Sequence, residues 1–267
     1  MNKTKKIAVF AIDMQNDFCL PMGALPVPGA MDDAKRLAEF IKINKNEIGA
    51  IVLTMDSHHP IDIAHAIFWH DKNGNPPPPF TGIATDFLQE VHEGKWTPRF
   101  FPKEAIKYLE DLKANGEFSH TIWPEHCIIS SEGAAVVNVV LDAIKEWEQL
   151  GNFKTVIFKG SNPLTEHFGA FRAQIEIPNC PETQLNQDLV NLLEKYDAVY
   201  VAGEAKSHCC AVTIKQAMDL VPNLAKKFIL LEDCMSAVQG CEHLADKIYD
   251  DAKAMGIKFA KSSDPIK

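Results

Sequence analysis

The chain has 267 residues, of which 46% are hydrophobic and 24% are charged, so it can bury one large α/β core or two small ones. Its net charge is −9 and no stripe of Lys and Arg occurs, which argues against a nucleic-acid partner and favours a small molecule. No apolar run is long enough to span a bilayer, which argues against a membrane partner, and seven cysteines without a CxxC pair suggest a reducing, cytoplasmic location.

Short runs rich in β-branched and aromatic residues alternate with helical patterns along the chain. The runs are IAVFAID (7–13), AIVLTMD (50–56), TVIFKG (155–160), AVYVAG (198–203) and KFILLEDC (227–234). Amphipathic segments between them, such as DDAKRLAEFIKI, NQDLVNLLEKY and EHLADKIYDDAKAM, predict helices. The alternation predicts an α/β fold with three layers, in which a doubly wound, mainly parallel sheet carries helices on both faces.

This alternation is interrupted between about residues 70 and 118. NGNPPPPFTGI is rich in turn formers, and KEAIKYLEDLKANG predicts a helix that ends at a glycine. We interpret the four prolines as a stiff surface loop rather than an SH3-type ligand or a linker. The sequence therefore predicts a single domain, residues 1–267, with an inserted flap at about 70–118.

Three of the predicted strands end in a charged residue, namely Asp13, Asp56 and Lys159. Because parallel strands point the same way, these side chains are expected at one edge of the sheet, where such folds bind their ligands. The stretch EAKSHCCAVT follows the fourth strand at the same edge. The sequence therefore predicts one site that contains two carboxylates, a lysine and a cysteine.

The two adjacent cysteines have different expected roles. Ser207 is a plausible N-cap for the following helix, and Cys210 lies on the apolar stripe of that helix, which indicates core packing. Cys209 lies off the stripe in the first turn, where free N–H groups and the helix dipole favour a thiolate. A thiolate nucleophile needs a proton carrier and a charged neighbour, which Asp13 and Lys159 offer, although an inert buried cysteine stays an alternative.

Three segments resemble a known family. AIDMQNDF, FKGSNPLTEHFGAF and VAGEAKSHCCAVT are similar to the catalytic-aspartate strand, the lysine segment and the nucleophile turn of the isochorismatase-like cysteine hydrolases, in the same order. The resemblance implies that family's fold and a triad of Asp13, Lys159 and Cys209. It also implies a cis peptide bond between Glu204 and Ala205, with the N–H groups of Ala205 and Cys209 directed at a developing oxyanion.

The nucleophile turn departs from the family pattern in one place. The family commonly has Thr-Asp-aromatic before the cysteine, whereas this chain has Lys206, Ser207 and His208. The departure bears on the choice of substrate more than on the chemistry.

A second group of residues suggests a metal site. Asp56 and His58, in TMDSHHP, are two residues apart just beyond a strand, so their side chains can point the same way, although histidines that cap turns are the alternative. WPEHC resembles a motif of the nicotinamidase group of the family and adds His126. This set implies a divalent metal, expected to be Zn²⁺, with Mn²⁺ and Fe²⁺ also open. The Asp-x-His spacing selects His58 over His59.

Two aromatic residues are expected to contact the substrate. The resemblance implies that Phe18 stacks on a flat substrate ring, and Trp69, at the start of the insertion, is predicted as the opposite wall. Core packing is the alternative for both.

Together these observations predict a metal-assisted cysteine amidohydrolase. Its expected reaction converts nicotinamide and water to nicotinate and ammonia through a thioester on Cys209. Two alternatives stay open: the hydrolysis of another small carboxamide, carbamoyl or ureido compound on the same triad, and a noncatalytic binding or scaffold protein. Members of the family often assemble, which leaves a homo-oligomer open.

Overall fold

A six-stranded parallel sheet forms the centre of the computed structural model, which describes residues 6–266. In chain order the strands are β1 (Ile7–Ile12), β2 (Ile48–Asp56), β3 (Trp69–His70), β4 (Thr97–Pro98), β5 (Thr155–Lys159), β6 (Ala198–Gly203), β7 (Phe228–Leu231) and β8 (Lys258–Ala260). The order across the main sheet is β5-β2-β1-β6-β7-β8, and every neighbouring pair in it is parallel. β3 and β4 form a separate antiparallel pair.

Helices occupy the connections between the strands. In the part of the chain that the structure describes, the α-helices are α1 (Asn16–Cys19), α2 (Ala30–Ile43), α3 (Phe87–His92), α4 (Pro102–Ala114), α5 (Asn138–Glu148), α6 (Gln187–Leu193), α7 (Ala211–Leu220), α8 (Pro222–Ala225) and α9 (Asp246–Met255). A π-helical turn, Lys206–Cys210, precedes α7. Short 3₁₀ turns span Ala66–Phe68, Pro181–Thr183 and Glu232–Cys234.

Both faces of the central strands of the sheet are buried. In β1, Val9 and Ala11 pack on one face with residues of α2 and α5, whereas Phe10 and Ile12 pack on the other with residues of α6, α7 and α9. A strand that is covered on both sides is apolar throughout rather than alternating, as β1 is. The predicted three-layer α/β fold is therefore confirmed.

The segment that is predicted to be a flap shares an apolar cluster, here called the flap cluster, with the residues that flank it. Trp69, Phe87, Tyr108 and Leu109 belong to this cluster, which α3, α4 and the start of β3 build together. The aromatic rings meet at close range, with 4.9 Å between the centroids of Trp69 and Phe87. The single domain with an inserted flap stays a prediction.

The strand order creates a crevice at the carboxyl ends of β1 and β6. The chain passes from β1 to β2 and β5 on one side of the sheet, and from β6 to β7 and β8 on the other. Ligands bind at such switch points in open α/β sheets. The two strands approach closely there: Gly203 has φ +139°, and a Cβ atom at this position would lie 2.0 Å from the Ile12 carbonyl oxygen. Only glycine fits.

Within residues 6–266, no helix is both long and apolar enough to cross a membrane.

Candidate active site

An ion cluster lies at the carboxyl ends of three neighbouring strands. Lys159 Nζ is 2.8 Å from Asp13 Oδ2 and 3.1 Å from Asp56 Oδ1, and it also donates a hydrogen bond of 3.0 Å to the His167 carbonyl oxygen. An ammonium group has three donors, so these contacts satisfy it completely. The Thr54 hydroxyl donates to Asp13 Oδ1 at 2.6 Å. The three charged residues that were predicted from the strand ends therefore meet in one buried cluster.

Cys209 borders this cluster. Its Sγ lies 3.7 Å from Lys159 Nζ, and its side chain is buried. Cys209 lies in the π-helical turn between β6 and α7, in which the Cys210 N–H donates to the Ala205 carbonyl at 3.2 Å. Such turns occur often at functional sites. Cys210 packs in the core, as predicted.

The predicted N-cap at Ser207 is wrong. The turn before α7 is π-helical and has no side-chain cap. The Ser207 hydroxyl is engaged elsewhere: it bonds His208 Nδ1 at 2.9 Å and accepts the Val238 N–H at 3.1 Å. It therefore holds the segment that follows β7 rather than the helix end.

Burial and neighbouring charges together set the charge states of the catalytic candidates. Burial raises the pKa of the Cys209 thiol well above its ordinary value, against the opposing effect of Lys159, so the resting thiol is protonated rather than a thiolate favoured by a helix dipole. Burial also raises the pKa of Asp13, and Lys159 again opposes it. Burial alone would lower the pKa of Lys159, but Asp13 and Asp56 outweigh it and raise that pKa well above its ordinary value. Lys159 is therefore a permanent cation.

The backbone of the nucleophile turn has the form that the resemblance implies. The peptide bond between Glu204 and Ala205 is cis. In residues 6–266 no backbone carbonyl accepts the Ala205 N–H, whereas the Lys206 N–H donates to Ser236 O at 2.7 Å. Both Ala205 and Cys209 border the cavity described below.

Asp56, His58 and His126 could together hold a metal ion. One donor atom from each lies within 4.8 Å of the others, and all three side chains are buried. Nε2 of His58 lies 3.1 Å, and Nε2 of His126 3.5 Å, from Asp56 Oδ2. His59 is exposed, so the geometry agrees with the choice of His58.

The other ring nitrogens of these histidines are held from outside the group. Nδ1 of His58 is 3.1 Å from Asp62 Oδ2, and Nδ1 of His126 is 2.8 Å from the Pro124 carbonyl oxygen. Such partners fix the ring orientation of metal-binding histidines and leave Nε2 for the ion. Burial would lower the pKa of His58, but Asp56 and Asp62 outweigh it and raise that pKa well above its ordinary value. A divalent ion would replace the proton there.

His65 adds a polar atom beside this group. Its ring centroid lies 5.2 Å from that of His58 and 5.6 Å from that of His126. Its Nε2 is buried and has no hydrogen-bond partner within the described chain. Buried polar atoms are normally paired, so an unpaired nitrogen here fits a place for an ion or a water molecule.

A small cavity, about 20 Å³, lies between the cysteine and the histidine group. Its lining residues are Phe18, Leu25, Asp56, Trp123, His126, Phe168, Ala205, His208, Cys209 and Val238. The ring of Phe18 packs edge-on against His126, with 5.4 Å between centroids. Phe18, which is predicted to stack on the substrate ring, therefore borders the cavity.

Trp69, predicted to form the opposite wall, lies elsewhere. Its side chain is fully buried in the flap cluster, and its Nε1 donates to the Ile63 carbonyl oxygen at 2.7 Å. It is absent from the lining of the cavity, whose aromatic walls come from Trp123 and Phe168 as well as Phe18. This placement corrects the assignment of Trp69, which is a packing residue.

Sequence reasoning missed several residues that position the site. The Gln15 amide brackets the backbone of Asp56, accepting its N–H at 2.7 Å and donating to its carbonyl at 2.8 Å. Asp17 Oδ2 accepts the N–H of Cys127 at 2.7 Å, next to His126. Both residues stand in AIDMQNDF, so the motif contained the signal. Leu25 and Val238 lie outside every motif.

Comparison with models of protein families gives no match. Among curated proteins, the nicotinamidase of Saccharomyces cerevisiae is 24% identical over 251 residues, which cover 93% of this chain and 96% of the relative. The nicotinamidase of Escherichia coli is 26% identical over 216 residues, which cover 80% of this chain and 76% of the relative.

Solved structures agree with these relatives. The yeast nicotinamidase bound to the inhibitor nicotinaldehyde has a TM-score of 0.64 at 22% identity, covering 96% of this chain and 99% of that one. The pyrazinamidase of Pyrococcus horikoshii in complex with zinc has a TM-score of 0.56 at 20% identity, covering 96% and 99%. An isochorismatase family protein from Desulfovibrio vulgaris has a TM-score of 0.52 at 17% identity, covering 97% and 95%.

The chain thus has the isochorismatase-like hydrolase fold. Its sequence similarity to two nicotinamidases confirms the resemblance that its motifs predict. Within that class, its curated sequence relatives are nicotinamidases.

Proposed function

We propose that the chain is an amide-hydrolysing enzyme that converts nicotinamide and water to nicotinate and ammonia. The observation that carries the proposal is the buried contact of Cys209 Sγ with Lys159 Nζ at 3.7 Å, where Asp13 Oδ2 lies 2.8 Å from the same nitrogen. This cluster borders the same cavity as the Asp-His-His group. The curated relatives, which are nicotinamidases, support the choice of substrate.

The proposed reaction begins from a protonated thiol. As Cys209 Sγ attacks the amide carbon, its proton passes to Asp13, whose raised pKa makes it a better base than an exposed aspartate. The oxygen of the tetrahedral intermediate accepts hydrogen bonds from the N–H groups of Ala205 and Cys209. Asp13 then protonates the departing nitrogen, the C–N bond breaks, and ammonia leaves a thioester on Cys209.

Water completes the cycle. Asp13 accepts a proton from the water molecule that attacks the thioester, nicotinate is released, and the proton returns to the Cys209 sulfur. Lys159 keeps its charge throughout and stabilises the negative charge that moves between Asp13 and Cys209. Both half-reactions therefore use the same three side chains.

The decisive experiment measures ammonia release from the purified protein with nicotinamide, beside a panel of carbamoyl and aryl amides. Cys209→Ala is expected to lower kcat at least about 1000-fold, because the variant lacks the sulfur that forms the proposed thioester. Cys210→Ala is the matched control, because Cys210 packs in the core, and it is expected to keep activity. Turnover that persists in Cys209→Ala would contradict the covalent mechanism.

The amide panel separates the other functions. Turnover of a carbamoyl or other amide without turnover of nicotinamide would agree with the proposed triad and contradict the proposed substrate. If no amide of the panel is hydrolysed and Cys209 is inert to alkylation, a binding or scaffold protein is favoured.

The proposed metal is Zn²⁺, held by Asp56, His58 and His126. A set of one carboxylate and two imidazoles suits zinc, and the zinc complex of the Pyrococcus horikoshii pyrazinamidase supports this choice. When bound, the ion would act as a Lewis acid that orients a substrate ring nitrogen or a water molecule. Phe18, Trp123 and Phe168 would hold the flat ring between apolar walls.

Metal content tests this assignment independently of activity. His58→Ala is expected to reduce bound zinc, measured by elemental analysis after dialysis, from about one ion per chain to below about a tenth. His59→Ala is the matched control, because His59 is exposed, and it should retain the metal. Loss of zinc in His59→Ala with retention in His58→Ala would reverse the assignment.

The cytoplasmic location and a homo-oligomer stay predictions.

A further inference from the structure

A second pair of buried carboxyl groups lies behind the nucleophile turn. Glu204 follows β6 and is fully buried, and Asp33 on α2 is only 2% exposed. One oxygen of each group is paired: Glu204 Oε2 accepts the Ser236 N–H at 3.3 Å, and Asp33 Oδ1 accepts from the Arg36 guanidinium. The other two oxygens, Glu204 Oε1 and Asp33 Oδ2, have no hydrogen-bond donor anywhere in residues 6–266.

One shared proton would satisfy both unpaired oxygens. Two ionised carboxyl groups offer only acceptors, so in a dry environment they repel each other and leave lone pairs unsatisfied. A protonated Glu204 would instead donate a hydrogen bond to Asp33. Burial and the neighbouring Asp33 both raise the pKa of Glu204 well above its ordinary value, which agrees with this state.

The charges around the two carboxyl groups also favour one shared proton. Arg36 is a cation whose charge acts on both carboxyl groups, and it is hydrogen-bonded to Asp33 and to the Asp233 carbonyl oxygen. One cation can neutralise one of the two carboxylates. The remaining titratable groups whose charges act with Glu204 belong to α1, the nucleophile turn and α9, and burial raises the pKa of each: Cys19, Cys210 and Tyr249. These groups are neutral at pH 7.

The pair is connected directly to the proposed oxyanion site. Glu204 supplies the carbonyl of the peptide unit whose N–H belongs to Ala205. Three hydrogen bonds tie this turn to the segment that follows β7: Ser236 N–H to Glu204 Oε2 at 3.3 Å, Lys206 N–H to Ser236 O at 2.7 Å, and Val238 N–H to Ser207 Oγ at 3.1 Å. The Glu204 side chain therefore anchors one side of the peptide unit, while Ala205 borders the cavity on the other.

We propose that Glu204 is a positioning residue, which rests on the proposed function: its neutral carboxyl group shares a proton with Asp33 and holds the Ala205 N–H toward the oxyanion. Glu204 does not contact the reacting atoms. It acts through the peptide unit that it shares with Ala205.

Two substitutions at Glu204 separate a neutral donor from a charged group. Glu204→Gln keeps an N–H donor for Asp33 and an oxygen for the Ser236 N–H, whereas Glu204→Ala keeps neither. For nicotinamide hydrolysis, Glu204→Ala is expected to lower kcat at least about tenfold with KM changed less than about threefold, because only the transition state gains from the oriented N–H. Glu204→Gln is expected to restore kcat to within about threefold of the wild type. Glu39→Gln, an exposed change on the same helix as Asp33, is the matched control and is expected to leave kcat unchanged.

Infrared spectroscopy can detect the proton on Glu204 in the absence of substrate. The wild-type spectrum at pH 7 minus that of Glu204→Gln is expected to contain the C=O stretching band of a protonated carboxyl group. An absent band, or a Glu204→Gln enzyme as slow as Glu204→Ala, would overturn the proposal. If Glu204→Ala fails to fold, the band and the kinetics of Glu204→Gln still decide. A wild type that leaves nicotinamide untouched would instead refute the proposed function, and this outcome is distinct because the band does not depend on substrate.

Discussion

Lys159 is the residue on which the charge balance of the site depends. Its ammonium group is buried between two carboxylates, and each of the three charges would be costly to bury alone. The cluster is stable because one cation faces two acids and Asp56 also faces His58. Removal of the cation therefore affects both Asp13 and Asp56.

Lys159→Met tests this balance. We expect the free energy of unfolding to fall by about 3–5 kcal/mol, because two buried carboxylates lose their partner, and kcat to fall at least about 100-fold. Urea unfolding and ammonia release measure the two effects. Lys107→Met is the control, because the Lys107 side chain is 72% exposed and its ion pair with Asp111 should contribute less than about 1 kcal/mol. Equal stability of the two variants would contradict the account.

Single residues also show where sequence reasoning fails. Asp13, Asp56 and Lys159 could be placed together because parallel strands end at one edge of a sheet. Trp69 could not, because its partners Phe87 and His120 are distant in sequence and only the folded flap brings them to its ring. The protonated state of Cys209 was also out of reach, because its cause is burial rather than position in a helix.

At the scale of the elements, His120 is buried against the aromatic rings of the flap cluster. His120 is surrounded by the rings of Trp69, Phe87 and Tyr108, with centroid distances of 5.0–5.7 Å. Its Nε2 donates to the Ile63 carbonyl oxygen at 3.0 Å. Burial lowers the pKa of His120 to about 4, so the ring stays neutral in the native protein.

This histidine should make the protein sensitive to acid. Below the unfolded-state pKa of 6.5 the unfolded chain binds a proton that the native ring does not, so stability falls as the pH drops from about 6.5 toward 4. His120→Gln should reduce the loss of unfolding free energy between pH 7 and pH 5 by about 2 kcal/mol, measured by urea unfolding at both values. His243→Gln, at a side chain that is 91% exposed, is the control. An unchanged loss in His120→Gln would mean that the native ring accepts the proton.

Five strands of the main sheet were predictable from their apolar runs. Burial on both faces makes the pattern continuous in β1 and β6, whereas β5 is only partly buried and was recognisable by its β-branched and aromatic residues. The sixth, β8, has only three residues and lies at the sheet edge, where its half-exposed side chains leave no pattern. β3 and β4 have two residues each and are equally hard to recognise. The turn before α7 was predicted as an α-helix because a π-helical turn has no distinct signature in one sequence.

At the scale of the whole molecule, the site is nearly closed. A cavity of about 20 Å³ holds about one water molecule, which is far less than a nicotinamide ring requires. A larger cavity, about 750 Å³, shares Leu25 and Val238 with it. These two side chains therefore border both cavities, and a substrate that enters from the larger one would have to pass them.

Val238→Ala should widen this passage. We expect kcat/KM for a ring-substituted nicotinamide to rise at least about threefold relative to nicotinamide, because the smaller side chain leaves room for a substituent. Ammonia release with both amides gives the ratio. Val139→Ala serves as a control, because Val139 packs against the core away from the cavity. An unchanged ratio in Val238→Ala would place the passage elsewhere.

The strand that carries Lys159 lies at the open edge of the sheet. Among the strands that the structure describes, β5 pairs only with β2, and the residue before the lysine, Phe158, is 69% exposed. Through Asp13 and Asp56, the lysine links this last strand to both β1 and β2. The charged groups of the proposed active site thus also crosslink the sheet. Hydrogen exchange at the amides of β5 should therefore be faster in Lys159→Met. The rate at which this edge opens to solvent would then measure how strongly the ion pairs of the proposed active site hold the strand.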